Sequence, residues 1–168
     1  MEAHSRIEDF REAASREILL VEDSESDARL IHRTLQIAGV INHVRHLSHG
    51  QQAVAYLEQA AAGESRLPSI LLLDLKLPGM NGFEILGWLQ KHNEFSKMLR
   101  VVLSQLDQLD NIKKAYSLGA HSFLSKPIGQ EEVEELIAVY PEYWVLRGDG
   151  GQKLRKPPER THELVAAG

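Results

Sequence analysis

The chain has 168 residues, a formal net charge of −5 and no cysteine. This length suits one domain with short tails, and the missing cysteines exclude disulfides and thiolate metal sites. We expect no nucleic-acid partner, because no long basic stripe is present to neutralise phosphates. We also expect a cytoplasmic protein without membrane contact. No apolar run reaches the roughly 18 residues that span a bilayer, and the charged N-terminus lacks the apolar stretch of a signal peptide.

Short apolar runs alternate with helical periodicities along most of the chain. Residues 17–21 predict a buried strand, and residues 26–38 predict a helix that Gly39 ends. The same alternation then repeats four times. The further strands are predicted over residues 42–47, 69–74, 100–104 and 120–125, and the further helices over residues 49–62, 83–92, 108–118 and 130–139.

Five strands alternating with five helices indicate an α/β fold with a doubly wound parallel sheet. Right-handed crossovers would place helices on both faces, which gives three α/β/α layers. We assign this domain to residues 17–146. Residues 1–16 are mostly polar and are predicted to be a partly mobile extension or a short helix, and residues 147–168 are predicted to be a flexible tail.

Polar residues stand where the predicted strands end. Glu22 and Asp23 follow the first strand, Asp74 ends the third, Ser104 ends the fourth, and Lys126 follows the fifth. In an open parallel sheet, ligands bind outside the carboxyl ends of the strands. We therefore expect these five side chains to share one pocket.

The chemistry of that pocket follows from its charges. Three neighbouring carboxylates repel one another, and a divalent cation would relieve the repulsion. Oxygen ligands without soft donors favour Mg²⁺ or another hard ion. With the ion present, Asp74 can attack a phosphoryl donor and form an acyl phosphate. Lys126 would stabilise the transferred charge, and the Ser104 hydroxyl can donate to a phosphate oxygen.

Four segments around these residues resemble response-regulator receiver domains of two-component signalling. The likeness covers roughly residues 16–140. The segments that carry it are residues 18–23 (ILLVED), 71–82 (LLLDLKLPGMNG), 101–104 (VVLS) and 123–127 (FLSKP). The resemblance implies a flavodoxin-like strand order, 2-1-3-4-5. It also implies a binding switch with self-catalysed phosphotransfer and dephosphorylation rather than an enzyme.

The resemblance assigns roles to the pocket residues. A sensor histidine kinase would transfer a phosphoryl group to Asp74. Mg²⁺ would be bound by Asp23, Asp74 and the backbone carbonyl of Lys76, and Glu22 would support it through water. Lys126 would complete the catalytic set, joined to the next residue by a cis peptide bond.

The resemblance also implies a switch. Ser104 and Phe123 would couple the phosphoryl group to the face formed by the fourth predicted helix, the fifth strand and the fifth predicted helix. That face, which we call the switch face, would then bind a partner or a second copy of the chain.

A narrower likeness concerns single-domain regulators that partner bacterial phytochromes. It rests on the Val-Glu-Asp sequence at residues 21–23, the long second-helix region that reaches Pro68, and residues 140–146 (YPEYWVL). In that group the C-terminal segment contributes to dimers, so a homodimer could use this segment or the switch face. Tyr143 and Trp144 fit either a dimer contact or core packing.

One residue departs from the family pattern. Gln105 follows Ser104, where receivers usually have a small residue. A long side chain there would partly cover Asp74 or bond to the phosphate, so we expect slower phosphotransfer or autodephosphorylation.

Two other functions compete with the switch. A receiver that dimerises regardless of phosphorylation would act as a scaffold. A phosphatase of the haloacid dehalogenase type also uses an aspartate nucleophile and Mg²⁺, but it places that residue after its first strand as Asp-x-Asp. Here Asp74 ends the third strand and Lys76 lies two residues later, which disfavours the phosphatase. The eight histidines are too scattered to favour a metal site.

Overall fold

The computed structural model describes residues 2–105 and 108–148. In this part of the chain, five strands form one sheet, and six helices and two 3₁₀ turns accompany it. The strands are β1 Ile18–Val21, β2 Val44–Leu47, β3 Ile70–Asp74, β4 Leu99–Ser104 and β5 Ser122–Ser125. The helices are α1 Glu2–Ser15, α2 Glu25–Ile37, α3 Gly50–Ala61, α4 Gly82–Gln90, α5 Leu109–Ser117 and α6 Gln130–Val139, and the turns are Asn93–Phe95 and Pro141–Tyr143.

The sheet has the predicted topology. All four strand pairs are parallel, and the strand order is β2-β1-β3-β4-β5. The doubly wound, flavodoxin-like prediction is therefore confirmed. The five predicted helices correspond to α2–α6, and their ends differ from the predicted ones by at most two residues.

Helix α1 is the element beyond the five predicted helices. Its last turn packs against the domain, because Ala13 is buried and its carbonyl accepts a hydrogen bond from the backbone N–H of His43, at 3.1 Å. Ile7 and Phe10 on the preceding turns are exposed. The segment predicted as a separate extension thus forms a helix that contacts the domain at its C-terminal end.

The core consists of two apolar layers, one on each side of the sheet. Strands β1, β3 and β4 are buried along their whole length, which explains why their sequences are apolar without alternation. One layer includes Ile31 of α2 and Val133 of α6. The other includes Leu57 of α3 and Ile85 of α4. Burying each such side chain contributes about 2 kcal/mol, so both layers fix the strand ends.

The chain after α6 pairs with the segment between α2 and β2. The backbone N–H of Ile41 donates to Val145, and the N–H of Arg147 donates to Gly39, both at 2.8 Å. Trp144 is buried in the first apolar layer, so core packing explains this aromatic residue. Of the predicted tail, residues 149–168 lie outside the described residues. Within residues 2–105 and 108–148, no helix is long and apolar enough to cross a membrane.

Candidate functional site

The carboxyl ends of the strands bring the predicted residues together. Register pairs Val21 with Leu73 and Asp74 with Leu103, so β1, β3 and β4 end at one edge. A cavity of about 160 Å³ opens there. It is lined by Glu22, Asp23, Ser24, Asp27, Asp74, Lys76, Ser104, Gln105 and Lys126. The convergence expected from the sequence is therefore what the fold produces, while the role of each residue stays a prediction.

Lys126 is the positive centre of this cavity. Its Nζ lies 2.5 Å from Oε2 of Glu22, 3.2 Å from Oδ2 of Asp74 and 3.3 Å from Oδ2 of Asp27. The side chains of Lys126, Glu22 and Asp74 are each less than a tenth exposed. The backbone N–H of Lys126 donates to the carbonyl of Ser104, which anchors the lysine next to β4.

Burial and charge act in opposite directions on the ionisable groups. Burial raises the pKa of Glu22 and the charge of Asp74 adds to that effect, while the Lys126 hydrogen bond lowers it without cancelling it. Burial lowers the pKa of Lys126, but the Glu22 hydrogen bond and the Asp74 charge outweigh it, so the pKa lies above its usual value. The ammonium is therefore held charged, and the carboxylates still carry more negative charge than one lysine neutralises.

Three carboxylates lie close enough to share a cation. Oxygens of Glu22, Asp23 and Asp74 are all within 4.8 Å of one another. Both Glu22 oxygens already accept hydrogen bonds, one from Lys126 and one from the N–H of Ser24 at 3.1 Å. Asp23 is exposed, and its carboxylate has no partner among the described residues. The donor set fits a hard divalent ion, with Asp23 better placed than Glu22 to bind it directly.

The loop after β3 fixes the orientation of Asp74. Its Oδ1 accepts a hydrogen bond from the backbone N–H of Lys76, at 3.1 Å. Gly82 packs so tightly that an added Cβ would lie 2.5 Å from the Asp74 carbonyl oxygen. Gly79 has φ +71°, a conformation that glycine adopts without strain. These contacts explain why the segment after Asp74 contains two glycines.

The remaining predicted residues differ in position. Ser104 is buried at the cavity wall, and Gln105 is exposed at its rim. Phe123 on β5 is half-buried and packs against the second apolar layer, and it does not line the cavity. The Lys126–Pro127 peptide bond is cis, as predicted. The acidic group at the site is the one cluster of possible metal ligands in residues 2–105 and 108–148, so the described histidines form none.

Asp27 lines the cavity but was not among the predicted site residues. Ser24 caps α2 by accepting a hydrogen bond from the N–H of Asp27. Side chains in the first turn of a helix are directed toward its N-terminus, which here faces the site. A carboxylate three residues after a capping serine, directly behind a strand end, was the available signal.

The comparisons with known proteins agree with this geometry. The family model of the response regulator receiver domain matches residues 18–138. The chain belongs to this family. The receiver is 34% identical over 128 residues to the probable methanogenesis regulatory protein FilR2 of Methanothrix harundinacea, covering 76% of this chain and 83% of that protein. It is 30% identical over 129 residues to the response regulator Rcp1 of Synechocystis, covering 76% and 88%.

Solved structures show the same similarity. The Mn²⁺-bound form of Rcp1 superimposes with a TM-score of 0.66 at 28% identity, covering 79% of this chain and 99% of that one. The phosphorylated cyanobacterial phytochrome response regulator RcpA gives 0.64 at 30%, covering 77% and 93%. The bacteriophytochrome response regulator AtBRR gives 0.68 at 28%, covering 80% and 98%. The predicted receiver family is confirmed, and the narrower likeness is supported by these neighbours.

Proposed function

We propose that this receiver is a single-domain response regulator that accepts a phosphoryl group on Asp74 from a histidine kinase in a Mg²⁺-dependent reaction. One observation carries the proposal: the buried Asp74 carboxylate lies 3.2 Å from the Lys126 ammonium and within 4.8 Å of the Glu22 and Asp23 carboxylates. One edge of the sheet thus combines a nucleophile, a cation that can stabilise the transferred negative charge, and acidic ligands for a metal.

Each residue has a defined part in the transfer. A carboxylate oxygen of Asp74 forms a bond to phosphorus while the bond from phosphorus to the donor nitrogen breaks, and the nitrogen keeps its electron pair. Lys126 moves a hydrogen bond from Asp74 to a phosphoryl oxygen. The Ser104 hydroxyl can donate to another phosphoryl oxygen. Hydrolysis of the acyl phosphate frees phosphate and restores Asp74, so the chain would catalyse only its own phosphorylation and dephosphorylation.

The metal would neutralise charge that Lys126 leaves uncompensated. Asp23, Asp74 and the backbone carbonyl of Lys76 would hold it. Glu22, already hydrogen-bonded to Lys126 and to Ser24, is suited to act through water. Mg²⁺ fits because it keeps several waters and binds few carboxylates.

We also propose a bacteriophytochrome as the kinase, because two structural neighbours are a cyanobacterial phytochrome response regulator and a bacteriophytochrome response regulator. A cytoplasmic location belongs to the same proposal.

The switch face would be an interface. Helices α5 and α6 flank β5 and expose Leu109, Tyr116 and Val139, which water solvates poorly. Trp144 is buried in the core and is less suited to a dimer contact. We therefore favour a homodimer through α5, β5 and α6, with Ser104 and Phe123 coupling it to Asp74.

Labelling tests the phosphoacceptor. Acetyl phosphate with Mg²⁺ should add one phosphoryl group to the wild type, detected by intact-protein mass spectrometry. Asp74→Asn should remain unlabelled, chelation of Mg²⁺ should abolish the label, and Asp110→Asn, an exposed aspartate of α5, should label like the wild type. Labelling of Asp74→Asn at the wild-type level would refute the proposal.

Sedimentation tests the dimer and its competitor. The switch predicts more dimer when beryllium fluoride and Mg²⁺ occupy the site. Equal dimerisation with and without the mimic would favour a phosphorylation-independent scaffold. Leu109→Ser should weaken the dimer about tenfold if α5 lies in the interface, while Leu67→Ser, at an exposed leucine outside that face, should not.

A further inference from the structure

A third carboxylate holds the lysine of the site. Oδ2 of Asp27 lies 3.3 Å from Nζ of Lys126, and the Asp27 side chain is 37% exposed where that of Lys126 is 8% exposed. Asp27 lines the cavity beside Asp74 and also a smaller one of about 80 Å³ that Lys126 lines as well. It is the most exposed of the three carboxylates that contact the ammonium.

The position of Asp27 is fixed by helix α2. Asp27 is the third residue of that helix, and its backbone N–H donates to Oγ of Ser24 at 3.3 Å. Glu25, on the same turn, instead pairs with the exposed Arg29 at 3.6 Å. The helix therefore presents one first-turn carboxylate to the site and the other to solvent.

The three carboxylates use the whole donor capacity of Lys126. An ammonium has three N–H donors, and Glu22, Asp74 and Asp27 each accept from it. When Asp74 becomes an acyl phosphate, the donor that it held is available to a phosphoryl oxygen. A second phosphoryl oxygen could bind the ammonium only if Asp27 gave up its hydrogen bond, since Glu22 is fully buried against the lysine.

We propose that Asp27 is a positioning residue that competes with the phosphoryl group for Lys126 and so weakens the binding of the phosphoryl group at the site. The inference rests on the proposed function of Asp74. Two effects have the same sign: Asp27 occupies a donor, and its negative charge lies near the place that an anionic phosphoryl group enters. Neutralising Asp27 strengthens the binding of a phosphoryl group or its mimic.

Beryllium fluoride affinity tests the competition. At saturating Mg²⁺, Asp27→Asn should bind beryllium fluoride about two- to fivefold more tightly than the wild type, the range expected for a partly exposed ion pair. Glu25→Gln removes a charge from the same helical turn without touching Lys126 and should bind like the wild type. Asp27→Glu keeps the charge and should also stay near the wild type.

A second readout separates positioning from a structural effect on α2. The ¹⁵N resonance of the Lys126 ammonium should shift in Asp27→Asn and stay in place in Glu25→Gln. An unchanged resonance, or equal beryllium fluoride affinity in the wild type and Asp27→Asn, overturns only the proposed role of Asp27 and leaves the phosphoacceptor proposal intact. A wild-type protein that binds no beryllium fluoride overturns the phosphoacceptor proposal as well, so the two failures are distinguishable.

Discussion

Nζ of Lys126 and Oε2 of Glu22 form a buried ion pair, 2.5 Å apart, with side chains 8% and 1% exposed. Taking such charges from water costs several kcal/mol each, and the pairing offsets that cost. The lysine also faces Asp74 and Asp27, so one cation serves three acids. The lysine and the three acids therefore stabilise one another. Removing the lysine leaves buried negative charge without a partner, and a divalent ion can restore part of the lost charge compensation.

Lys126→Met should show this dependence. In EDTA we expect the free energy of unfolding to fall by about 3 kcal/mol, because Glu22 and Asp74 lose their buried partner. Mg²⁺ should recover a larger part of the stability in this variant than in the wild type. Urea unfolding followed by circular dichroism, with and without Mg²⁺, measures both. Lys113→Met, at an exposed lysine of α5, is the control, and an equal Mg²⁺ effect in all three proteins would contradict the argument.

Gln105 offers a test of access to Asp74. The residue stands at the rim of the cavity, next to the buried Ser104. If its side chain covers the proposed phosphoacceptor Asp74, Gln105→Ala should raise the rates of labelling by acetyl phosphate and of hydrolysis several-fold. Gln130→Ala, which alters an exposed glutamine of α6, should leave both rates unchanged. Rates in Gln105→Ala that match the wild type would show that the side chain does not obstruct the site.

Much of the fold could be predicted because local and global signals agree. Apolar runs such as residues 70–73 belong to strands buried on both faces, and glycines such as Gly39 and Gly119 end helices with positive φ. The strand ends then determine where Asp74 and Lys126 lie. Convergence of these residues needs no knowledge of side-chain packing, because parallel strands present their carboxyl ends at one edge.

The remaining features depend on contacts between distant segments. The spacing from the capping Ser24 distinguishes Asp27 from Glu25, but it does not show which of these two first-turn acids contacts Lys126. Their different partners follow from where Lys126 lies after folding. The packing of α1 depends in the same way on a contact between Ala13 and His43, just before β2, that no local periodicity encodes.

Asn42 connects three segments of the chain, which predicts a large effect on stability. It is buried, its Oδ1 accepts from the N–H of Val145 at 2.7 Å, and its Nδ2 donates to the carbonyls of Arg16 and Tyr143. Asn42→Ala would leave these backbone groups without partners. We expect a loss of about 2–4 kcal/mol in urea unfolding. Asn93→Ala, at an exposed position, should change stability by under about 0.5 kcal/mol.

His121 supplies a pH dependence of stability that is independent of the acidic cavity around Asp74. Its Nδ1 accepts a hydrogen bond from the backbone N–H of Arg100 at 2.9 Å, which requires that nitrogen to be unprotonated. Desolvation lowers the pKa of His121, and the positive charge of Arg100 lowers it further. Tyr140 also donates to the His121 carbonyl. The folded state thus favours the neutral ring.

The sign of the effect follows from proton binding. The unfolded chain takes up a proton at this histidine below about pH 6.5, while the folded chain does so only at lower pH. The contribution of His121 to stability is therefore complete above pH 6.5 and is lost as the pH falls toward the folded value. His121→Gln, which keeps a neutral acceptor, should lose less stability than the wild type between pH 7 and pH 5. His32→Gln, at an exposed histidine of α2, should behave like the wild type, and equal losses in all three proteins would assign the pH dependence to other groups.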